Sequence, residues 1–260
     1  MSNQITDSNN ISLILVHDAW HGAWAWKGVI AYLGEREWRG LALDLPGRGN
    51  QPHVTKPDLR SYAEAVAAFA ESAPTKKYIL VGHGTAGAII QLASEMLYKG
   101  EGSRLSGLIF AAAYILQDGE SVTDNMPPEM ADYFRQLAGQ HPEQAIDMAA
   151  MKDYWLNSVI NDDNRYADRI LAKLTPEPLA PLEDKISLPS FFKNRPPCGY
   201  LSFNDDLTLP AGLYHPLMSS RLGAQRLFTV NAGHEAVIIK PREVAEAIIF
   251  LANGLLKDPH

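Results

Sequence analysis

The chemically suggestive residues begin with a glycine turn. The apolar run Tyr78-Ile79-Leu80-Val81 leads into Gly82-His83-Gly84-Thr85-Ala86-Gly87. Beyond it Ala88, Ile89, Leu92, Ala93 and Met96 recur at helical spacing. This pattern reads as buried strand, tight turn, helix. The first N–H groups of such a helix have no partner within the helix and face whatever occupies the turn. A phosphate is one candidate, but the Lys-Ser/Thr pair of a P-loop is missing. A dinucleotide fingerprint needs an acidic residue at a strand end about 20 residues on. Glu101 has the distance but sits in the loop Lys99-Gly100-Glu101-Gly102-Ser103. His17, His21, His83 and His234 raise the question of a metal. His17 and His21 lie four apart in a Gly/Trp loop instead of on a helix face, and no zinc-type carboxylate pattern accompanies them. Neither a nucleotide cofactor nor a metal is expected.

The elements that must position these residues alternate. Residues 11–16 form an apolar run broken only by Ser12, hence a buried strand. A helix is expected over 26–33, a strand over 39–43, and a turn at Asp44-Leu45-Pro46-Gly47-Arg48-Gly49. A helix over 59–70 has Asp58 as its cap. The glycine-turn strand and helix follow, then a strand over 105–112. Such alternation predicts a parallel sheet covered on both faces. Between 117 and 185 the pattern changes to prolines, acidic residues and short helices at 128–137, 143–149 and 164–173. It then resumes with strands at 199–203 and 225–230 and a helix at 241–255. The expectation is an α/β core formed by residues 1–116 and 186–260, with residues 117–185 inserted as a helical cap. The cap would cover the carboxyl ends of the strands, where open α/β sheets bind ligands.

Composition narrows the partners. The chain has 260 residues, 46% of them apolar and 20% charged, with a formal charge of −7. No basic cluster exceeds a dipeptide, which argues against nucleic acid and anionic membranes. No run of 18 apolar residues suggests a membrane span. The first ten residues are polar and do not read as a signal peptide. A lone cysteine, Cys198, forms no internal disulfide and fits a reducing, cytoplasmic setting. The expected partner is a small-molecule substrate; a homodimer is compatible with the sequence.

Four separated pieces together resemble one family. Leu15-Val16-His17-Asp18-Ala19-Trp20-His21-Gly22-Ala23-Trp24-Ala25-Trp26 looks like the first loop of the methylesterase, hydroxynitrile lyase and pyrethroid-hydrolase branch of the α/β hydrolases. Residues 44–49 resemble its Asp-x-Pro-Gly-x-Gly turn. Lys173-Leu174-Thr175-Pro176-Glu177-Pro178-Leu179 resembles the end of its cap. Asn231-Ala232-Gly233-His234-Glu235-Ala236 resembles its histidine loop. The glycine turn resembles its nucleophile elbow, Gly-His-Ser-x-x-Gly, with Gly84 in place of the serine. The resemblance implies an α/β-hydrolase fold, a mostly parallel sheet with helices on both faces.

The resemblance also implies roles. Nucleophile, acid and histidine come in that order along the chain, which puts the histidine at His234. Asp205 and Asp206 both follow the strand at 199–203; the family's spacing from acid to proline favours Asp206, with Pro210 after it. The oxyanion hole would use the backbone N–H groups of Ala19 and Thr85. Asp18 stands where the family usually has glycine. Turned inward, its carboxylate would oppose a developing oxyanion; turned outward, it is a loop residue. Asp18, His17, Trp20, His83, Met126, Met130 and Trp155 are the candidate substrate contacts, although aromatic rings and methionines also serve simply as core. Gly84 supplies no hydroxyl for an acyl-enzyme, and Thr85 is expected to face elsewhere on the turn. The expected function is therefore a His234/Asp206 general-base reaction on a small, mainly apolar ester, ketone or polyketide-like molecule. Water-mediated hydrolysis, C–C lysis, cyclisation and elimination all fit. An esterase inactivated at position 84 and a non-catalytic receptor are the alternatives.

Overall fold

The structure, a computed structural model, describes residues 10–49, 56–100, 102–160, 164–223 and 226–257. Glu101 and Gln225, which entered the sequence reading, lie outside the described residues. The chain opens with β1 (Ile11–Val16), whose residues are all buried. A short 3-10 turn leads into α1 (Lys27–Glu35), then β2 (Arg39–Ala42). The next helix is α2 (Leu59–Glu71). Asp58 caps it in a reciprocal box with Ser61, each side chain accepting from or donating to the other's backbone. β3 (Lys77–His83), α3 (Ala86–Leu97) and β4 (Leu105–Ala111) complete the first half.

The middle segment carries α4 (Pro128–Gln140), β5 (Ala145–Ile146), α5 (Lys152–Tyr154), α6 (Ala167–Leu171), β6 (Glu177–Pro178) and α7 (Ala180–Glu183). The helix expected over 143–149 is absent. Ala145 and Ile146 instead pair antiparallel with Pro178 and Glu177. Gln144 has φ +52, outside the helical region, and accepts at its carbonyl from Leu179 N–H. A 3-10 turn over Met148–Met151 follows, capped by the Asp147 side chain. Pairing partners far along the chain override the local helical pattern. The last elements are β7 (Cys198–Phe203), β8 (Arg226–Val230), α8 (Ala236–Ile239) and α9 (Pro241–Lys257).

Six strands form one parallel sheet in the order β2-β1-β3-β4-β7-β8. Side chains alternate across it. Leu13, Leu15, Ile79, Val81 and Ile109 pack on one face with α1 and α9. Ile14, Val16, Leu80, Leu108 and Phe110 pack on the other with α2 and α3. This two-sided burial explains why the strands read as nearly continuous apolar runs. The topology also places the site. β2 lies on one side of β1 and β3 on the other, so the chain reverses direction of travel at β1. Ligand crevices of open α/β sheets form outside the carboxyl ends of strands at such a point. Val16, the last residue of β1, is paired with Gly82 of β3. The loops that begin with His17 and Gly84 therefore leave the sheet side by side.

Candidate active site

The turn after β3 is as tight as its glycines suggest. Gly84 has φ +56, a left-handed conformation that favours glycine. Gly87 permits close approach: a Cβ there would lie 2.0 Å from the carbonyl oxygen of Tyr114. α3 starts at once, with Thr85 at its cap position.

Asp18 resolves the two orientations left open for it by pointing inward. A Cβ on Gly84 would fall 2.2 Å from the Asp18 Cγ and Oδ1 and 2.3 Å from Oδ2. The carboxylate thus fills the volume into which a side chain at position 84 would project. Its Oδ1 accepts from Thr85 N–H at 2.6 Å and from the Thr85 hydroxyl at 2.8 Å. Its Oδ2 accepts from His234 Nε2 at 3.0 Å. Thr85 does not face elsewhere: its Oγ1 also accepts from Ala19 N–H at 3.0 Å. Both backbone donors expected for an oxyanion hole are consequently occupied by the protein's own oxygens. A carboxylate at a helix N-terminus is electrostatically favoured there, so the feature of the turn that could hold a developing oxyanion holds Asp18.

His234 follows β8, and Asp206 follows β7 on the neighbouring strand. The Asp205 N–H donates to the Ala232 carbonyl at 3.0 Å, tying the two loops together. His234 Nδ1 donates to Asp206 Oδ2 at 2.7 Å. Thr208 holds the other Asp206 oxygen, through its N–H at 2.9 Å and its hydroxyl at 2.6 Å. Asp206, and not Asp205, is the carboxylate that meets the imidazole. The rings of His83 and Tyr214 flank His234, at 4.5 and 5.9 Å between centroids.

The imidazole lies between two carboxylates, and this sets its charge. Burial disfavours the imidazolium, but the Asp206 charge and the hydrogen bonds to Asp18 and Asp206 outweigh it and raise the pKa well above 6.5. Burial would likewise raise the Asp18 carboxyl; the hydrogen bond and charge of His234 instead hold it well below the usual carboxylate range. Asp206 is also lowered, burial being outweighed first by the charge of His234. The resting site is therefore carboxylate, imidazolium, carboxylate. In this state His234 holds a proton on each nitrogen and is poised as a donor; it can act as a base once it has given up a proton.

Two expected substrate contacts lie elsewhere. His17 does not line the chamber. Its Nδ1 donates to the Asp18 carbonyl at 2.8 Å and its Nε2 accepts from Leu45 N–H at 3.2 Å, clamping the first loop to the turn after β2. His83 lies behind His234, between Trp26 and Phe203, again away from the chamber. Burial lowers the pKa of each to about 4, so both are neutral. The Nε2 of His83 is buried without a partner. Asp18, His83 and His234 offer ligand atoms within 4.8 Å of one another and could in principle hold a metal. Asp18 Oδ2 and His234 Nε2 are, however, already bonded to each other.

Above this polar floor lies a chamber, with about 530 Å³ of atom-free space when the part open to solvent is included. Trp20, Met126, Met130 and Trp155 line it, joined by Phe134 and Met148. Asp18, Thr85 and His234 form its polar end, together with Tyr114, Tyr154 and Tyr214. Burial raises the pKa of Tyr114 and Tyr214 well above 10, so both stay protonated hydroxyls. Sequence reading missed all three tyrosines. Tyr114 follows the end of β4, whereas the places of Tyr154 and Tyr214 depend on how the middle segment and the loop after β7 fold back, which no local spacing encodes.

A buried ion pair anchors the first loop. Arg48 pairs with Glu177, which also accepts from Trp20 N–H at 2.8 Å. Trp20 has φ +64, and its indole N–H donates to the Ile146 carbonyl at 2.7 Å. A second buried pair, His21 with Glu235 at 3.3 Å, joins the first loop to the residue after His234. The three sequence pieces containing Arg48, Glu177 and Trp20 thus meet in one network.

The model of the alpha/beta hydrolase family matches residues 13–247. Putative methylesterase 11, chloroplastic, from Arabidopsis thaliana is 26% identical over 96% of this chain. The chain spans 66% of that relative's length, and 58% of that of the putative methylesterase 13 of the same plant. Norfluorocurarine synthase 2 from a Strychnos species is 25% identical over 94% of this chain and 96% of its own. Among solved structures, an extracellular alpha/beta-hydrolase from a Paenibacillus species superposes with a TM-score of 0.85. It is 25% identical, covering 93% of this chain and 98% of its own.

Proposed function

The chain belongs to the alpha/beta hydrolase family, and from that premise we propose that it is an enzyme of the family's esterase branch. In this reading it acts on a small, mainly apolar ester, ketone or polyketide-like molecule. It works by proton transfer through His234 and Asp206 and not through a serine acyl-enzyme. The observation that carries the reading is the 2.7 Å contact between His234 Nδ1 and Asp206 Oδ2 at the floor of an apolar chamber. A pocket that only binds has no need of an imidazole oriented in this way by a buried carboxylate. The similarity to plant methylesterases supports the esterase branch, and the aromatic and methionine walls support an apolar substrate.

The chemistry follows from the charge state. The imidazolium between Asp18 and Asp206 supplies a proton to a substrate oxygen, and the neutral imidazole that results takes one back. Residues 117–185 act as the cap that closes the chamber and limits water.

The test is turnover of a panel of small aromatic esters, ketones and β-keto esters by the wild type and three variants. His234→Ala should lose roughly 10²–10⁴-fold in rate while retaining ligand affinity by calorimetry. Asp206→Asn should lose rate strongly, because it no longer holds the imidazole in position. Asp205→Asn should not. Turnover that survives in His234→Ala refutes the reading. Ligand binding by the wild type without any turnover points to a receptor.

A further inference from the structure

The backbone donors that would meet a negative charge on a substrate oxygen are already taken. Thr85 N–H donates to Asp18 Oδ1 at 2.6 Å, and Ala19 N–H donates to Thr85 Oγ1 at 3.0 Å. Reaction at a carbonyl group nevertheless builds charge on its oxygen, and a buried charge needs a donor. Most side-chain donors around the chamber are also committed. The Thr85 and Thr208 hydroxyls donate to Asp18 and Asp206. The Trp20 and Trp155 indoles donate to the carbonyls of Ile146 and Ala167, and the Tyr154 hydroxyl donates to the Thr208 carbonyl at 2.9 Å. His21 is paired with Glu235. Apart from the proton of His234, the hydroxyls of Tyr114 and Tyr214 remain among the described lining residues. The geometry points to Tyr114 as the hydrogen-bond donor that holds the reacting carbonyl oxygen, with Tyr214 as the residue that positions it. This rests on the carbonyl chemistry proposed above and adds a catalytic residue to its His234–Asp206 pair.

Tyr114 is held as such a donor must be. It stands three residues beyond the end of β4. Its N–H donates to the Gly84 carbonyl at 3.0 Å. Its own carbonyl lies so close to Gly87 that a Cβ there would be 2.0 Å away. The residue before it is fixed by Tyr200, whose hydroxyl donates to the Ala113 carbonyl at 3.0 Å and accepts from Ala113 N–H at 3.2 Å. The backbone of Tyr114 is thus pinned to the glycine turn from both sides, and the residue is buried. A donor fixed in this way needs no rearrangement as charge develops.

Tyr214 links this donor to the imidazole. Its ring meets that of Tyr114 edge-on, at 5.4 Å between centroids, and stacks on His234 at 5.9 Å. Its hydroxyl is placed to donate toward the Tyr114 oxygen, which leaves the Tyr114 proton for the substrate. The charges of Asp18 and Asp206 act on both phenols, so their hydroxyls belong to the same end of the chamber as His234. Burial keeps the proton on the Tyr114 oxygen. Tyr114 therefore shares a hydrogen bond and gives up no proton, while His234 supplies the proton that the reaction moves. Asp18 displaces the carbonyl oxygen from the glycine turn, and the two tyrosines receive it.

Infrared spectroscopy of a bound ketone provides the test, with acetophenone labelled at its carbonyl carbon as the probe. In the wild type the carbonyl band should fall to lower frequency than in hexane. Tyr114→Phe should return it most of the way, and Tyr214→Phe should return it in part. Replacing Tyr114 by 3-fluorotyrosine, a more acidic phenol of nearly the same shape, should lower the band further. Tyr114→Phe should also lose roughly 10²–10³-fold in kcat on the substrate turned over, with KM little changed. A wild-type band that is unshifted or absent overturns the inference. So does a shift that survives in Tyr114→Phe, because another donor would then hold the oxygen. A band indifferent to fluorination overturns it as well, since a tyrosine that only packs would behave in that way. Such failures leave the His234-dependent turnover standing, because that is read from rates in His234→Ala. Absence of wild-type turnover beside a shifted band would instead refute the catalytic reading while leaving the carbonyl site in place.

Discussion

Gly84→Ser shows how strongly positions 18 and 84 depend on each other. A serine Cβ would lie 2.2 Å from Asp18 Cγ, well inside any ordinary carbon contact, at a backbone φ of +56. The backbone conformation alone costs on the order of 1–3 kcal/mol for a residue with a side chain. The larger cost is that Asp18 must leave, breaking its bonds to Thr85 and His234. Breaking a buried ion pair by removing one partner costs about 3–5 kcal/mol. Asp18→Gly alone should cost a similar amount, because it strips the imidazolium of one partner. If the two effects were additive, the double variant would lose roughly 7–13 kcal/mol and would scarcely fold. In the double variant, however, the serine enters the space that the carboxylate vacated. Its loss should stay near that of one single variant, a coupling of about 3 kcal/mol or more. Urea unfolding of the four proteins measures it. The double variant should also free Thr85 N–H for an oxyanion and put a hydroxyl beside His234. It should then show a burst with an aryl acetate and label with an organophosphate, whereas Gly84→Ser alone should do neither. Additive stability losses, or esterase activity in Gly84→Ser alone, would refute the reasoning.

Two further outcomes follow from buried charge. His17 and His83 have folded-state pKa values lowered to about 4 by burial, below the free value of 6.5, so the stability that depends on their neutrality is complete above pH 6.5 and is lost as pH falls toward 4. Each shift corresponds to roughly 3 kcal/mol once both states are protonated. His234 acts in the opposite sense: its raised pKa contributes stability that is present below 6.5 and is lost as pH rises through the folded value. The urea midpoint should therefore drop steeply between about pH 6.5 and 4, and His17→Gln should flatten that drop; an unchanged midpoint across this range would contradict the burial account. Glu177→Gln should leave Arg48 buried and unpaired and cost about 3–5 kcal/mol. It should also loosen Trp20 and the first loop, seen as faster amide exchange at Trp20 N–H, whose acceptor is Glu177. Unchanged exchange there would show that the ion pair does not hold the loop.

Much of the architecture is legible in the sequence because it rests on local periodicity. Nearly continuous apolar runs at residues 11–16, 78–81 and 199–203 read as strands buried on both faces, and they are. The glycine turn could be placed because a left-handed residue before a helix favours glycine, and Gly84 has that conformation. His234 and Asp206 could be singled out because the chain resembles a family whose acid and histidine stand at those places, and adjacent parallel strands bring the two side chains together. The element at 143–149 was misread because its pairing partner, at 177–178, lies far along the chain. What only the tertiary structure decides is the direction of one side chain. Asp18 turns inward because glycine at position 84 leaves a vacant volume, Thr85 offers two donors and His234 offers a charge. These three partners come from other strands, so no spacing within the first loop encodes their arrival. That one rotation protonates the histidine, occupies the donors of the turn and places a carboxylate where the serine is missing.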